Sequence, residues 1–371
     1  MPLTLNAQQQ AAVRHASGPL LIVAGAGTGK TTVITERVKF VIEKKKASPD
    51  EILALTFTEK AAAEMLERLD EVMPLGYEEP WLSTFHAFCD RILRLEGLEV
   101  GLSPDYTILG QPQQWLLIKQ NLFDLKLDYY RPLGNPTKFI GALLNFFSRL
   151  QDEDVSEAKL RKLQSSNSKF RKKVGKGEFK KYQELFQAHR RYQELKLAEN
   201  MLDFGDLITW TLELFRKRQN VLKKYQQQFK QILVDEFQDT NFAQLQLIKL
   251  LAPANKKPNL VVVGDDFQSI YKWRGAAISN ILDFTKHYPK TKTIILNKNY
   301  RSMQTLLDVS YRMIKNNEPE TLEVRLGIDK SMTAQRPGKI MPRVVVLPTL
   351  EQEADFVVEK ILELAAKKPY A

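Results

Sequence analysis

The chain has 371 residues, 43% hydrophobic and 27% charged, which suits two or three folded domains with a large core and excludes a disordered chain. A lone cysteine, Cys89, allows no intrachain disulfide, and four scattered histidines give no metal-cluster pattern. The formal net charge of +11 favours a polyanionic partner. With no basic-then-apolar leader and no membrane-length apolar run, a cytoplasmic, nucleoid-associated protein with no membrane partner is expected.

A short helix is predicted over 5–16, with Asn6 able to cap it. Residues 20–32, LLIVAGAGTGKTT, then run from apolar to small and end on Lys30 and Thr31, the order of strand, tight loop and helix start. Backbone N–H groups of such a loop point inward and cradle phosphates. The Lys30 ammonium would reach the β and γ oxygens, and the Thr31 hydroxyl a Mg²⁺ ion. The general pattern begins with Gly, and Ala24 stands there instead. Gly25, Ala26, Gly27, Thr28, Gly29 and Thr32 complete the expected cradle; a glycine-rich turn that binds nothing would leave this order as coincidence. A helix over 32–45, a strand over 52–57 and a helix over 58–69 continue the alternation of a parallel α/β core.

Residues 81–91 read as another strand returning into a helix. No apolar strand is evident between about 106 and 199. Helices over 104–130, 137–151 and 179–199 suggest an α-helical insertion with a core from Trp115, Leu117, Phe123, Phe139, Leu143, Phe146 and Phe147. The basic run from Lys169 to Lys181 suits a phosphate track and equally a solvated helix start. An amphipathic helix over 204–217 leads back to strand patterns at 232–234, 260–266 (LVVVGDD) and 292–296. From 299 something new begins: a helix over 303–315, an irregular stretch at 336–342, a strand over 343–347 (RVVVL) and a helix over 351–366.

Asp235 and Glu236 end an apolar strand, at the edge where ligands bind in open parallel sheets. Asp235 is assigned to the metal and Glu236 to the attacking water. Gln268, after a second such strand, is placed to bond a γ-phosphate and its water, and so to sense ATP against ADP. Trp273 beside Arg274 suits a base stack next to a phosphate contact, although a core Trp with a surface Arg reads as well. Phe57, Thr84, Phe85 and His86 lie where strands run out and would line the same face. Arg301, presented across a cleft, would neutralise charge developing on the γ-phosphoryl group. Tyr300 would stack on the adenine, and Gln9 would read its edge.

Taken together and in order, LNAQQQAAV, AGAGTGKTT, LALTFTEKAAAEM, STFHAF, LDFGDL, ILVDEFQDT, VVVGDDFQSIYKWRGA and LNKNYRS, spanning residues 5–302, resemble the amino-terminal portion of UvrD/Rep/PcrA-type superfamily 1 DNA helicases. The resemblance implies an ATP- and Mg²⁺-dependent motor moving 3′ to 5′ on single-stranded DNA and at single/double-strand junctions, in repair or replication. By that resemblance Gln9 recognises adenine, Lys30 and Thr31 hold phosphate and Mg²⁺, and Asp235 and Glu236 are metal ligand and base. Gln268 is then the γ-phosphate sensor, Tyr300 the adenine stacker and Arg301 the arginine finger, with Phe57, Thr84, His86, Trp273 and Arg274 on the DNA side.

The implied fold is a RecA-like P-loop parallel sheet (1–92 and 200–279) with an all-helical inserted domain (93–199) and a partial second RecA-like domain (280–371). The hinge is expected near 280–300. Thr32 departs from an Arg that often follows the phosphate loop, and Glu59 from the Asn of the TFTNKAA form. No counterpart of the family's later THxxKGLE and ALTRAR motifs is found. The expectation is therefore either a piece of a longer helicase, completed by its carboxyl-terminal half or a partner subunit, or a short relative. Two other readings stand beside it: the motor part of a helicase–nuclease complex, and an ATP-responsive DNA-binding or adaptor protein without independent unwinding.

Overall fold

A computed structural model describes residues 5–71, 73, 76–165, 169–271 and 275–367. In chain order its strands are β1 (Leu20–Ala24), β2 (Ile52–Thr56), β3 (Trp81–Thr84), β4 (Thr107–Leu109), β5 (Met201–Asp203), β6 (Gln231–Val234), β7 (Leu260–Gly264), β8 (Lys292–Leu296), β9 (Lys298–Asn299) and β10 (Thr333–Ala334). Six form one parallel sheet in the order β3-β2-β6-β7-β1-β8. Its inner strands are nearly unbroken apolar runs because helices cover both faces. Alternate residues serve the two sides. Leu21, Val23, Leu53, Leu55 and Val234 pack against the helices Phe85–Glu96, Phe204–Lys217 and Phe242–Leu251. Leu20, Ile22, Ile52, Leu233 and Val261 pack against Ala7–Val13, Lys30–Glu43 and Glu59–Asp70.

The insertion is mainly helical, with Gln111–Gln120, Ile140–Asp152 and Lys176–Ala198 packed around Leu117, Ile118, Leu143, Phe147 and Tyr192. Three expectations for it need correction. A strand does lie there: β4 pairs in parallel with β5, but three residues are too few to stand out as an apolar run. The helix expected over 104–130 is confined to Gln111–Gln120. Phe123 is not core; it is 76% exposed, with the Arg131 guanidinium 4.5 Å from its ring centre. Where the chain returns to the sheet, a buried ion cluster fixes the joint. Lys196, fully buried, pairs with Asp203 and Asp206, and Gln151 donates to both carboxylates.

The boundary expected at 280 falls too early for the sheet. Ile281, Leu282, Phe284 and Tyr288 join its core, and β8 pairs with β1 along its whole length. Beyond β8 come the two-residue ladder of β9 with β10 and the helices Gln304–Ile314 and Leu350–Lys367. The strand expected over 343–347 is absent. Val344 and Val346 are 91% and 87% exposed, and no strand among the described residues lies beside them to satisfy a ladder. Among the described residues no helix is long and apolar enough to cross a membrane.

Candidate nucleotide site

β1 delivers its loop to the carboxyl edge of the sheet, and two left-handed glycines shape the turn: Gly27 at φ +78° and Gly29 at φ +86°. Close approach adds to the conformational reason for glycine. A Cβ at Gly27 would lie 2.6 Å from Arg301 Cβ, and one at Gly29 2.7 Å from Gln9 Nε2. The Thr28 hydroxyl donates back to Gly25 O at 2.8 Å and braces the loop. Gly29 caps the Lys30–Glu43 helix without a side-chain bond, so the first-turn N–H groups keep their affinity for an anion. Ala24 is the fully buried end of β1, ahead of the turn, where the usual glycine is not needed for backbone freedom.

Gln9 is drawn onto this loop by its own helix. Its N–H donates to Asn6 Oδ1 at 2.9 Å, its Oε1 accepts from Asn6 N–H at 3.0 Å, and its Nε2 donates to Thr28 O at 3.0 Å. Arg37 anchors the other end of that helix. Its buried Nη1 donates to the carbonyls of Ala12, Val13 and His15, each at 3.1 Å, and desolvation pushes the guanidinium pKa down to about 10.

The acidic wall follows β6. Lys30 Nζ donates to Glu236 Oε2 at 2.7 Å and to Gln268 Oε1 at 3.4 Å. Glu236 takes a left-handed backbone (φ +47°), an uncommon conformation for a side chain of its size. The Gln238 amide donates to Glu236 Oε2 at 2.8 Å and to Asp239 Oδ2 at 3.2 Å, and accepts from Asp265 N–H at 3.0 Å. Burial raises the Asp235 carboxyl to about 6, with the Glu236 charge adding and Lys30 opposing. Thr56 Oγ1 and Asp239 Oδ1 are buried without a hydrogen-bond partner.

This donor set fits Mg²⁺, which takes one or two carboxylates, keeps several waters and shares phosphate oxygens. Asp235 and the Thr31 hydroxyl would hold it, and the orphaned oxygens of Thr56 and Asp239 suit its waters. Among the described residues no group of three or more acidic, histidine or cysteine ligands is poised to bind a metal without phosphate.

The opposite wall comes from the segment after β8. Asn299, 1% exposed, donates from Nδ2 to Ala26 O at 2.7 Å, and its Oδ1 accepts from the N–H groups of Arg301 and Ser302 at 3.0 and 2.8 Å. Tyr300 N–H donates to Gly27 O at 2.8 Å, and its hydroxyl accepts from Asn6 Nδ2 at 2.9 Å. A cleft of about 630 Å³ brings together Lys30, Thr31, Glu236, Gln268, Tyr300 and Arg301. Gln9, Ala26, Gly27, Gly29 and Thr32 line it too, whereas Ala24, Gly25, Thr28 and Asp235 do not. Sequence reasoning missed Arg68, which adds a cation to the cleft from the Glu59–Asp70 helix, as well as Arg37 and Asn299. None of the three sits in a telling pattern.

On the expected DNA side, Phe57 stacks on Tyr271 with ring centres 6.1 Å apart. His86 meets Phe204 edge to face at 5.8 Å, and burial lowers its pKa. Thr84 is buried; it caps the Phe85–Glu96 helix by accepting from Ala87 N–H and donates to Glu59 Oε1 at 2.7 Å. Its hydroxyl thus serves the fold, and the unusual acid at 59 is its partner. Trp273 and Arg274 lie outside the described residues.

The UvrD/REP helicase N-terminal domain model matches residues 5–289, and the UvrD-like helicase C-terminal domain model matches 294–371. The ATP-dependent DNA helicase PcrA of Staphylococcus epidermidis is 38% identical over 359 residues, 97% of this chain and 45% of that protein. PcrA of Staphylococcus aureus is 39% identical with the same coverage. The chain therefore spans just under half the length of these relatives. Phosphate loop, sheet order and both matched models agree: the chain belongs to the UvrD/REP helicase family.

Proposed function

We propose that this chain is the ATP-binding part of a motor that moves 3′ to 5′ along single-stranded DNA and unwinds it at junctions. The observation that carries the reading is the meeting of two walls around one cleft, Lys30, Glu236 and Gln268 on one side and Tyr300 and Arg301 on the other. ATP phosphates would take the Lys30 ammonium from Glu236. The freed carboxylate then accepts a proton from the attacking water, which Gln268 orients, and Arg301 neutralises charge on the transferring phosphoryl group. Mg²⁺, held by Thr31 and Asp235, would supply further charge neutralisation. Tyr300 stacks on the adenine, and Gln9 exchanges one of its present hydrogen bonds for the adenine edge.

In this reading Phe57, His86, Trp273 and Arg274 face the DNA. A second transition-state cation and the rest of the DNA path come from residues that follow 371 in a longer chain or from a partner subunit. The setting is the bacterial cytoplasm at the nucleoid. ATP hydrolysis with and without single-stranded DNA tests it. This chain alone should turn over slowly, and addition of the carboxyl-terminal half of a relative should raise the DNA-stimulated rate. Vigorous stimulated turnover by residues 1–371 alone would refute the need for that second half. DNA affinity that responds to ATP with no turnover in either case would favour the adaptor reading.

A further inference from the structure

Gln268 is held from two sides. Its Oε1 accepts from Lys30 in the cleft, while its Nε2 donates to Asp265 Oδ2 at 2.8 Å. Asp265 is gripped at its other oxygen by Lys330 Nζ at 2.6 Å, and the same ammonium pairs with Asp266 and lies 3.3 Å from the ring centre of Phe267. Lys330 is 7% exposed, and Asp265 and Asp266 are 4% and 5%. A buried ammonium shared by two carboxylates stays in place because losing it strands both charges. Lys330 precedes β10, which pairs with the strand of Asn299, and two residues on Met332 presses on the phosphate loop, its Sδ 2.7 Å from where a Cβ of Gly25 would stand.

We infer that Lys330 is a positioning residue for the γ-phosphate glutamine. Acting through Asp265, it commits one Nε2 hydrogen of Gln268 to the sheet edge, so that Oε1 and the second hydrogen face the phosphate and its water. An unanchored glutamine would spread over several rotamers and lose part of each bond it makes there. The same contact joins the sensor to the segment that leads from Tyr300 and Arg301, so sensor and finger are set by one piece of chain. This rests on the cleft taking ATP.

The test compares the wild type, Lys330→Met, Gln268→Ala and the double variant in two measurements. Without nucleotide, amide hydrogen exchange over 264–271 should quicken about tenfold in Lys330→Met, with β1 and β2 unchanged. With a fluorescent non-hydrolysable ATP analogue and its diphosphate counterpart, Lys330→Met should lower the preference for the triphosphate about five- to tenfold at unchanged diphosphate affinity. It should add nothing to Gln268→Ala.

Preserved triphosphate preference, equal weakening of both nucleotides, or additive losses in the double variant would overturn the inference. Should Lys330→Met fail to fold, Lys330→Met with Asp266→Asn, which strands one carboxylate fewer, takes its place. A wild type that binds neither nucleotide refutes the ATP reading instead. The exchange measurement then decides the anchoring by itself, and unchanged rates over 264–271 refute it.

Discussion

Asn299→Ala tests how the two walls of the cleft are joined. The substitution deletes a donor to Ala26 O and an acceptor for the Arg301 and Ser302 N–H groups. Ala26 and Arg301 are exposed, so water recovers part of each bond. A net of about 0.5–1 kcal/mol per bond then gives about 1.5–3 kcal/mol for the ordered, closed form of this segment, one bond of the three crossing to the phosphate loop and two holding the turn that presents Tyr300 to it. That corresponds to a factor of about 10–150 in the ratio of the ordered, closed segment to its open form. The Tyr300 N–H, which donates to Gly27 O, reports closure directly, and its amide exchange should quicken by about that factor while β1 and β7 stay protected. Asn299→Asp separates the parts, since it keeps the acceptor and sets a carboxylate against the Ala26 carbonyl. It should lose the loop contact and retain the Arg301 turn. Tyr300 exchange within about twofold of wild type in Asn299→Ala would show that Asn299 does not hold this segment closed.

Arg37→Met leaves the Ala12, Val13 and His15 carbonyls without their shared donor, and should cost about 2–4 kcal/mol in urea unfolding and weaken selection of ATP over GTP through Gln9. Gly27→Ala combines a φ of +78° with a contact 2.6 Å from Arg301 Cβ, so nucleotide affinity by fluorescence titration should fall at least about tenfold. His189, buried beside Lys196, has its pKa pushed down to about 4, chiefly by desolvation. A histidine depressed in this way stabilises the fold fully above its unfolded value near 6.5 and loses that contribution as pH falls towards 4. From pH 7.5 to 5 the wild type should therefore lose about 2 kcal/mol more than His189→Leu in urea unfolding.

The sheet and its phosphate loop were legible because physics writes them locally. Buried parallel strands such as Ile52–Thr56 and Leu260–Gly264 are continuous apolar runs, and Asn6, Thr58 and Asp203 announce helix starts by capping them. What escaped is decided by partners far along the chain. The strand pattern at 292–296 was legible as a return to the core, but a domain boundary at 280 set it apart from the first sheet, which β8 in fact closes beside β1. RVVVL has the composition of a strand but no neighbour to pair with, and β4 forms only because β5 comes back to it. Asn299 reaches Ala26 from 273 residues away, and Lys330 reaches Asp265 from 65. Neither an asparagine between a lysine and a tyrosine nor a lysine in a polar loop carries a periodic signal of such a contact. Thr84 shows the reverse case, a residue type that suits DNA contact but is occupied by a cap and by Glu59.

The most direct measurement is equilibrium binding of a fluorescent ATP analogue to residues 1–371, with Mg²⁺ and with EDTA, beside Lys30→Ala and Arg301→Ala. Saturable, Mg²⁺-dependent binding is expected, weakened at least about tenfold by Lys30→Ala and less by Arg301→Ala, since Arg301 lines the cleft from its exposed side. Binding that ignores both substitutions, or no binding by the wild type, would contradict the assignment of this cleft to ATP.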